Sequence, residues 1–187
     1  MTQRRSAGAR LRAGAALVPA LALATTGMVA ASAGAVTAAP APVQPVQGAA
    51  AMLHDAGARR FCVNAGGDVV TFGESEPGVP WRVGVRHPEH SDQLCVVLSL
   101  RDGAVATSAS YERGDHILDG RTGEPARGLL SITVVAADLT TADAAATAAY
   151  AMGVEGIAWA AAQPGCEVFA VDSERRVFRT PGLPVAS

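Results

Sequence analysis

The sequence predicts an α+β domain, in which an antiparallel or mixed sheet of hairpins packs with a few helices. Short strand-like runs follow one another through Gly, Asp and Asn turns, as in hairpins. The helical patterns are grouped apart from these runs instead of alternating with each strand. At 187 residues, with 49% apolar but only 4% aromatic residues, the chain is expected to form one domain with a core of Ala and Val.

The amino-terminal third divides into three parts. Residues 1–38 carry four arginines within the first twelve positions, continue through an apolar run at 13–31 and end in small-residue cleavage patterns. This order is typical of a secretory signal and predicts an exported or membrane-associated protein; an Ala-rich tail or a mis-assigned start is the alternative. Residues 39–47 are Pro-rich, which predicts an extended linker. The folded domain is then expected at 48–187.

The first half of this domain is predicted to be one helix and three strands. Residues 48–60 are Ala-rich and close with Gly57 and two arginines, which suit a helix C-terminus. Residues 61–64 and Asp68–Phe72 are strand-like runs on either side of a Gly-Gly turn. In Trp81–Arg86 apolar and polar residues alternate, which predicts a half-buried strand.

The second half is predicted to hold five strands and two helices. Leu94–Leu100 is continuously apolar and predicts a central strand, followed by a hairpin-type turn at 101–103. The remaining strands are predicted at 104–108, 130–137, 167–171 and 175–180, the last two as a closing hairpin. The two helices are predicted at 140–152 and 153–163.

Composition excludes several functions. All 15 basic residues are arginine, so Schiff-base chemistry and a P-loop lysine are excluded. Beyond the four amino-terminal arginines, 11 arginines face 17 acids, and this net charge of −6 argues against nucleic-acid binding. Cys62, Cys95 and Cys166 show no metal-binding spacing. Buried thiols are expected for Cys62 and Cys95, with a disulfide between two of the three as the alternative in an exported protein.

Residues 106–125 form a polar stretch between two apolar runs, and we expect it to be a functional loop instead of a core element. Thr107 and Ser108 follow a predicted strand and offer hydroxyls to a phosphate or a ring edge, or simply cap the loop. His116 could act as acid, base or phosphate partner, or anchor the loop by hydrogen bonds. The run from Asp119 to Gly123 predicts a turn in which Arg121 pairs with a carboxylate.

Two further groups have both a binding and a structural interpretation. Asn64-Ala-Gly-Gly-Asp68 could present backbone N–H groups to an anionic ligand, or be an ordinary tight turn. Asp143 and Thr147 lie four residues apart on one helix face, where a carboxylate and a hydroxyl suit Mg²⁺. With Thr140 as N-cap, Asp143 would instead complete a capping box.

Taken in order, four blocks resemble the C-terminal half of the ApbE-like FAD:protein FMN transferases. They are Asn64-Ala-Gly-Gly-Asp68, Ala106-Thr-Ser-Ala-Ser-Tyr-Glu-Arg113, His116-Ile-Leu-Asp-Gly-Arg-Thr-Gly123 and Asp143-Ala-Ala-Ala-Thr-Ala148. The resemblance runs from about residue 46 to 184. It implies an α+β domain that takes FAD as substrate with Mg²⁺, moves FMN onto a threonine of an acceptor protein and releases AMP.

The resemblance also implies roles for individual residues. Asp143, Thr147 and the carbonyl of Ala146 would be metal ligands, so the helix should be distorted at Ala146. His116 would be the catalytic residue. The FAD site would be formed by Asn64, Gly66, Gly67, Asp68, Thr107, Ser108, His116 and Ile117. The acceptor could be a membrane-associated redox protein, and no nucleic acid is expected.

This sequence departs from the family pattern in three places. Ala109 stands where the family usually has glycine, and Gly120 stands where it has proline. A Gly-Gly-x-x-Lys-Gly segment that precedes the matched part in the family has no counterpart here. We therefore expect an N-terminally truncated domain, and two alternatives to the transferase stay open. One is a non-catalytic flavin-binding module, and the other is a Mg²⁺-dependent FAD hydrolase.

Overall fold

A computed structural model describes residues 17–18, 43–113 and 116–187, which form two sheets and a layer of helices. The α+β class is confirmed. The helices are α1 (Val43–Asp55), α2 (Ser110–Arg113), α3 (Leu139–Met152) and α4 (Val154–Ala161). The strands are β1 (Leu17–Val18), β2 (Phe61–Ala65), β3 (Asp68–Phe72), β4 (Trp81–Arg86), β5 (Leu94–Leu100), β6 (Gly103–Ala109), β7 (Leu129–Ala136), β8 (Glu167–Asp172) and β9 (Val177–Arg179). Apart from Leu17–Val18, the predicted signal segment lies outside the described residues.

The larger sheet, called the main sheet here, has the strand order β2-β3-β6-β7-β8-β9, and every neighbouring pair is antiparallel. Side chains alternate between its two faces. Along β6, Ala104 and Ala106 belong to a core cluster under the helices. Val105 belongs to a second cluster, on the face covered by the small sheet β1-β4-β5. The helices and the small sheet therefore sandwich the main sheet.

The core under the helices is built mainly from small side chains, as the composition predicts. Ala142, Ala146 and Ala149 of α3 are all fully inaccessible to solvent, and so is Leu139 at its start. Because these side chains are short, α3 can approach β6 and β7 closely along its whole length. Each alanine buries less apolar area than a leucine would, so close packing over many residues supplies the stability.

β5 is the edge strand of the small sheet, and its prediction as a central strand is wrong. Its continuous apolar run has a different cause. Leu98 and Leu100 pack toward the main sheet, while the outer edge is covered by the carboxyl-terminal segment. The Ser99 N–H donates to the Pro184 carbonyl at 2.7 Å, and the Ala186 N–H donates to the Val97 carbonyl at 2.8 Å. The strand is therefore protected on its face and at its edge.

The chain crosses from the small sheet to the main sheet between β5 and β6, so the predicted hairpin at 101–103 is wrong. β5 pairs with β4, whereas β6 pairs with β3 and β7. The Asp102 carboxylate accepts a hydrogen bond of 2.9 Å from the Gly73 N–H, which ties the crossing to the end of β3. A Gly at position 103, with φ of +148°, permits the sharp change of direction.

α1 begins at Val43, five residues before the predicted start, so residues 43–47 are helical and not an extended linker. Pro45 lies in the first turn, where a missing N–H costs no helical hydrogen bond. Val46 and Ala50 lie one turn apart and are both buried, at 2% and 4% exposure. The Gln47 side chain accepts a hydrogen bond of 3.1 Å from the Leu139 N–H, so α1 helps to hold the start of α3.

Two expectations concern the compartment of the protein. Cys62, Cys95 and Cys166 are all free thiols in the structure, so the disulfide alternative is not formed. Cys62 and Cys95, expected to be buried, are only half-buried, although this partial burial raises the pKa of both thiols; Cys166 is the buried one. Within residues 43–113 and 116–187, no helix has the length and apolar character needed to span a membrane.

Candidate functional site

The start of α3 is capped by Asp138 and not by the predicted Thr140. The Asp138 carboxylate accepts hydrogen bonds from the Thr141 N–H at 2.9 Å and from the Thr141 hydroxyl at 2.8 Å. These bonds lower the pKa of Asp138. Asp143 is then the fifth residue of the helix and lies beyond the first turn, where side chains cap free N–H groups. The capping interpretation of Asp143 is therefore wrong.

Asp143 and Thr147 project from neighbouring turns of α3, and the structure leaves both side chains accessible. Asp143 is half-buried and Thr147 is exposed. Ala146 has no accessible surface, and α3 runs unbroken through it, so the distortion expected there is absent from this helix. A cation could reach the two side chains directly, but the Ala146 carbonyl would require this turn to open.

The contact that joins two of the predicted blocks is between β6 and α3. The hydroxyl oxygens of Ser108 and Thr147 lie 3.4 Å apart, although 39 residues separate them in the sequence. The register explains the contact, because Ser108 shares the helix-side face of β6 with Ala104 and Ala106. At 3.4 Å the hydrogen bond is a weak one, so either hydroxyl can turn toward another partner at small cost.

Thr107 lies on the opposite face of the main sheet, so it does not share a pocket with Ser108 as predicted. Its hydroxyl is 2.8 Å from the hydroxyl of Thr133 on β7, and Thr133 is fully buried. The predicted polar loop at 106–125 consequently begins inside a strand, because β6 extends to Ala109 and most of its residues are buried. The expectation that this stretch contains no core element is wrong for residues 106–109.

The Gly66-Gly67 pair forms the two-residue turn of a hairpin, so the tight-turn interpretation is confirmed. Ala65 pairs with Asp68 across the turn. Both glycines have positive φ, 64° and 94°, as a type I′ hairpin turn requires. The register of β3 on β6 places this turn next to the Ser108 end of β6. The turn is thus at the same end of the sheet as the hydroxyl pair.

Alternation along the two hairpin strands sends Asn64 and Asp68 to different faces. Asn64 pairs with Val69, which belongs to the cluster beneath the small sheet. Asp68 shares its face with Val70, which packs under the helices. Of these two predicted ligand-binding side chains, Asp68 is therefore on the same side of the sheet as Ser108.

The segment after residues 114–115 is fixed by its backbone. The Ala126 N–H donates to the Ile117 carbonyl at 2.9 Å, and Ile117 packs half-buried against the core under the helices. The neighbouring His116 is exposed. An anchored residue beside an exposed imidazole is a suitable arrangement for holding a ring at the surface of the domain.

The predicted turn from Asp119 to Gly123 is confirmed, and Arg121 is its cation. Its guanidinium pairs with Asp119 at 2.9 Å and reaches Glu155 of α4 at 3.4 Å. The Arg121 hydrogen bonds hold the pKa of Asp119 below its ordinary value. The turn is therefore linked to α4, on the helix side of the molecule.

One contact near the site was missed at the sequence level. The guanidinium of Arg86, at the end of β4, stacks over the Tyr111 ring at 4.2 Å. Tyr111 lies in α2, the short helix that connects Ser108 to the His116 segment. Strand alternation marks Arg86 only as a polar position, and no local signal pairs it with a residue 25 positions later. This cation–π contact fixes α2 against the small sheet.

The described residues offer oxygen donors but no dense metal cluster. Within 43–113 and 116–187, no three His, Cys, Asp or Glu residues are grouped closely enough to hold a metal ion. One carboxylate with a hydroxyl is instead the pattern of a weakly held hard cation that keeps water or phosphate oxygens as its other ligands. The donor set at Asp143 and Thr147 therefore fits a hard cation such as Mg²⁺ and not a metal that is held by thiolates or imidazoles.

The ApbE family model matches residues 44–170. The chain belongs to the ApbE family. The FAD:protein FMN transferase of Rhodobacter capsulatus is 38% identical over 145 residues, which are 72% of this chain and 27% of that protein. The Escherichia coli K12 protein of the same name is 28% identical over 141 residues, which are 70% of this chain and 40% of the relative. This ApbE-family chain therefore spans less than half the length of these curated relatives.

Solved structures support the same assignment. The ApbE protein of Thermotoga maritima is 37% identical with a TM-score of 0.59, over 65% of this chain and 43% of the other. The flavin transferase ApbE of Vibrio cholerae is 28% identical with a TM-score of 0.62, over 73% of this chain and 47% of the other. The two sheets and the helix layer are therefore the family fold over the matched part.

Proposed function

We propose that this chain is a Mg²⁺-dependent transferase that moves FMN from FAD to a threonine of an acceptor protein and releases AMP. The observation that carries the proposal is the 3.4 Å contact between Ser108 and Thr147. It brings a predicted FAD-binding hydroxyl beside a predicted metal ligand, at one end of the main sheet. Membership of the family and the names of its relatives support flavin transfer as the chemistry.

The proposed reaction is one displacement at phosphorus. The threonine oxygen of the acceptor forms a bond to the phosphorus on the flavin side, and the bond from that phosphorus to the bridging oxygen breaks. The bridging oxygen leaves with AMP, and the threonine proton passes to a base. His116 is the proposed base, because it is exposed and held beside the anchored Ile117.

Asp143 and Thr147 would hold the cation, since they present a carboxylate and a hydroxyl on one accessible face of α3. When bound, Mg²⁺ would neutralise charge that develops on the pyrophosphate. The Ser108 hydroxyl, next to Thr147, would then donate a hydrogen bond to a phosphate oxygen. Ala146 remains a proposed ligand only if the helix opens at its carbonyl.

The flavin would contact the exposed His116, the half-buried Ile117 and the Gly66-Gly67 turn. A Cβ built on Gly66 would meet no atom within 4 Å, so a ligand can approach the backbone of this turn. Asp68 is on the helix side and is proposed to contact the ligand from there. Asn64 and Thr107 point to the other face, and any effect on FAD would pass through the backbone.

A specific observation also favours the second candidate, a non-catalytic flavin-binding module. Among the residues that the structure describes, both His116 and Thr147 are exposed. A site with this exposure could bind FAD without excluding water or orienting an acceptor. FAD hydrolysis is a third outcome, in which water replaces the threonine hydroxyl.

One assay separates these three functions. The full chain is incubated with FAD, Mg²⁺ and a threonine-containing acceptor domain, and AMP, free FMN and covalent flavin fluorescence on a denaturing gel are measured. The transferase gives labelled acceptor and AMP in equal amounts. The hydrolase gives AMP and FMN without acceptor, and the binding module gives neither although FAD binding is seen by calorimetry.

Three substitutions connect the assay to the residues. Asp143→Asn and Thr147→Val are each expected to raise the Mg²⁺ concentration needed for half-maximal activity at least about tenfold, because a metal ligand is lost. Ser108→Ala is expected to weaken FAD binding and leave Mg²⁺ affinity less affected. Asp92→Asn removes an exposed carboxylate in the β4–β5 loop and is the matched control. Equal activity of Asp143→Asn and Asp92→Asn at limiting Mg²⁺ would disprove the metal site.

Export of the protein and a membrane-associated redox acceptor also remain proposals. They are supported by the basic, apolar and small-residue order of positions 1–38. Fractionation of producing cells, with detection of the mature amino terminus by mass spectrometry, tests the first. An intact amino terminus in the cytoplasmic fraction would contradict it.

A further inference from the structure

Among the residues that the structure describes, no strand pairs with the outer side of β9 at the far edge of the main sheet. β9 is the last strand in the order, and in its pairing with β8 the Thr180 N–H donates to the Val168 carbonyl and the Asp172 N–H to the Arg176 carbonyl. In an antiparallel pair, residues alternate between bonding the partner and facing away. The N–H and C=O groups of Val177 and Arg179 therefore face away from β8, along an open edge.

A cavity lies beside this edge on each face of the sheet. The cavity on the helix side has a volume of about 340 Å³ and a mostly apolar lining that includes Ile157, Ala161 and Phe178. The other has a similar volume of about 340 Å³ and a more polar lining that includes Arg179 and Leu183. An added strand would send alternate side chains into these two cavities. Its sequence would have to alternate accordingly.

The charge of Arg179 indicates which polar side chains would alternate with the apolar ones in an added strand. Arg175 pairs with Glu89 and Arg176 with Asp172, but Arg179 has no ion pair among the residues that the structure describes. Arg179 is exposed and lies between the two cavities, because it lines the polar cavity and the rim of the apolar one. A second copy of this edge would bring arginines together, which disfavours self-pairing. A carboxylate is the side chain that complements Arg179.

We propose that the β9 edge is a docking site for an extended segment of a partner protein in which acidic and apolar residues alternate. The segment would add a strand to the main sheet through the free groups of Val177 and Arg179. Its apolar side chains would enter the cavity under α4, and its acidic side chains would lie at Arg179. This site is independent of the proposed flavin chemistry, which is assigned to the Ser108 and Thr147 end of other strands.

The test uses the full chain and the synthetic peptide Glu-Val-Glu-Leu-Glu-Val-Glu, with calorimetry and amide hydrogen exchange by NMR. We expect saturable binding with a dissociation constant below about 1 mM. We also expect slower exchange at the amides of Val177 and Arg179, with no change at Phe178, whose N–H already faces β8. A peptide of the same composition without alternation, and one with Arg in place of Glu, are expected to bind at least about tenfold more weakly.

Protein variants locate the site. Arg179→Glu is expected to weaken peptide binding about tenfold or more, whereas Arg59→Glu, the same charge change at a distant exposed arginine, is expected to leave it unchanged. Val177→Pro removes an edge-facing N–H without removing a bond to β8, and it should abolish binding. Ala161→Phe should do the same by filling the apolar cavity.

Three results would overturn the proposal. The first is no saturable binding up to several millimolar peptide, and the second is equal binding by Arg179→Glu. The third is concentration-dependent self-association of the chain that Val177→Pro removes, measured by sedimentation, because the edge would then serve a second copy of this chain. Circular dichroism of each variant confirms that a lost signal does not come from unfolding.

Discussion

Two Gly→Ala substitutions in helices are expected to change stability in opposite directions. Gly156 lies in α4 and is buried against α3. A Cβ at this position would penetrate the Ala149 carbonyl oxygen and lie 2.6 Å from both the carbonyl carbon and the Cα of Ala149. These are backbone atoms, so no side chain can turn away and the two helices must separate. Gly48, in α1, has no atom within 4 Å of the same Cβ position.

The magnitudes follow from two opposing terms. Overpacking typically costs about 1–3 kcal/mol, and contact with rigid backbone places Gly156→Ala at the upper end. Alanine recovers up to about 1 kcal/mol through its better helix propensity, so the net loss is about 1–2 kcal/mol. Gly48→Ala receives only the favourable term and should gain about 0.5–1 kcal/mol. The two variants should therefore differ by about 1.5–3 kcal/mol in the free energy of unfolding.

Urea unfolding followed by circular dichroism measures this difference. With a slope of about 2 kcal/mol per molar, the midpoints of the two variants should differ by roughly 0.75–1.5 M. Both slopes should match that of the parent, so that the change reports stability alone. If Gly156→Ala is as stable as Gly48→Ala, α3 and α4 do not approach as closely as the structure shows, and the reasoning is wrong.

Three further predictions use the same unfolding measurement. Asp138→Ala removes the α3 N-cap and should lower the free energy of unfolding by about 1 kcal/mol at pH 7. Because hydrogen bonds from Thr141 lower the pKa of Asp138, its stabilisation is present above the ordinary carboxyl pKa and is lost as pH falls through the lowered value, so the stabilities of parent and variant should converge in acid. Asp172 is fully buried, and although burial opposes its ionisation, hydrogen bonds from Arg176 and the Glu174 amide lower its pKa. Asp172→Asn should therefore destabilise the protein at pH 7 and remove part of the stability loss that the parent shows as pH falls below 3.8, and an unchanged acid profile would contradict this. Thr107→Val leaves the buried Thr133 hydroxyl without its partner and should lower the free energy of unfolding by about 1–3 kcal/mol. The double variant with Val at both positions should recover most of this loss, and simple additivity of the two single changes would argue against the hydrogen bond.

Much of the fold follows from local patterns in the sequence. The bounds of β4 are predicted correctly, because Val83 and Val85 alternate with polar or small residues and both valines pack in the cluster beneath the small sheet. The Gly66-Gly67 turn is also local, since only glycine readily takes positive φ at both positions. Where one residue and its neighbours determine the conformation, the sequence is sufficient.

The errors arise where distant parts of the chain meet. The start of α1 was missed because Pro45 resembles a linker residue, and only the buried contacts of Val46 show that it is in a helix. β5 resembles a central strand because its edge is covered by residues near 185, far along the chain. Thr140 is predicted as the N-cap of α3 because it is a good capping residue, but Asp138 is one as well, and its hydrogen bond to Thr141 makes it the N-cap.

In the candidate site, the prediction is right for one of two adjacent residues and wrong for the other. Ser108 meets Thr147 as the two blocks suggest, whereas Thr107 faces Thr133 on the other side of the sheet. Both residues lie in the strand predicted at 104–108, so strand alternation alone would have placed their side chains on opposite faces. Position along the chain identifies the blocks, and the sheet decides which side chains can act together.

The pairing of the carboxyl-terminal segment with β5 has a consequence for synthesis on the ribosome. β5 is complete at Leu100, but the residues that hydrogen-bond its outer edge, Pro184 and Ala186, emerge about 85 residues later. At 5–20 residues per second, a nascent chain exposes this apolar edge for roughly 5–20 s. During that interval the strand can pair with another nascent chain, so the yield of folded protein should depend on translation rate and on chaperones that cover hydrophobic segments.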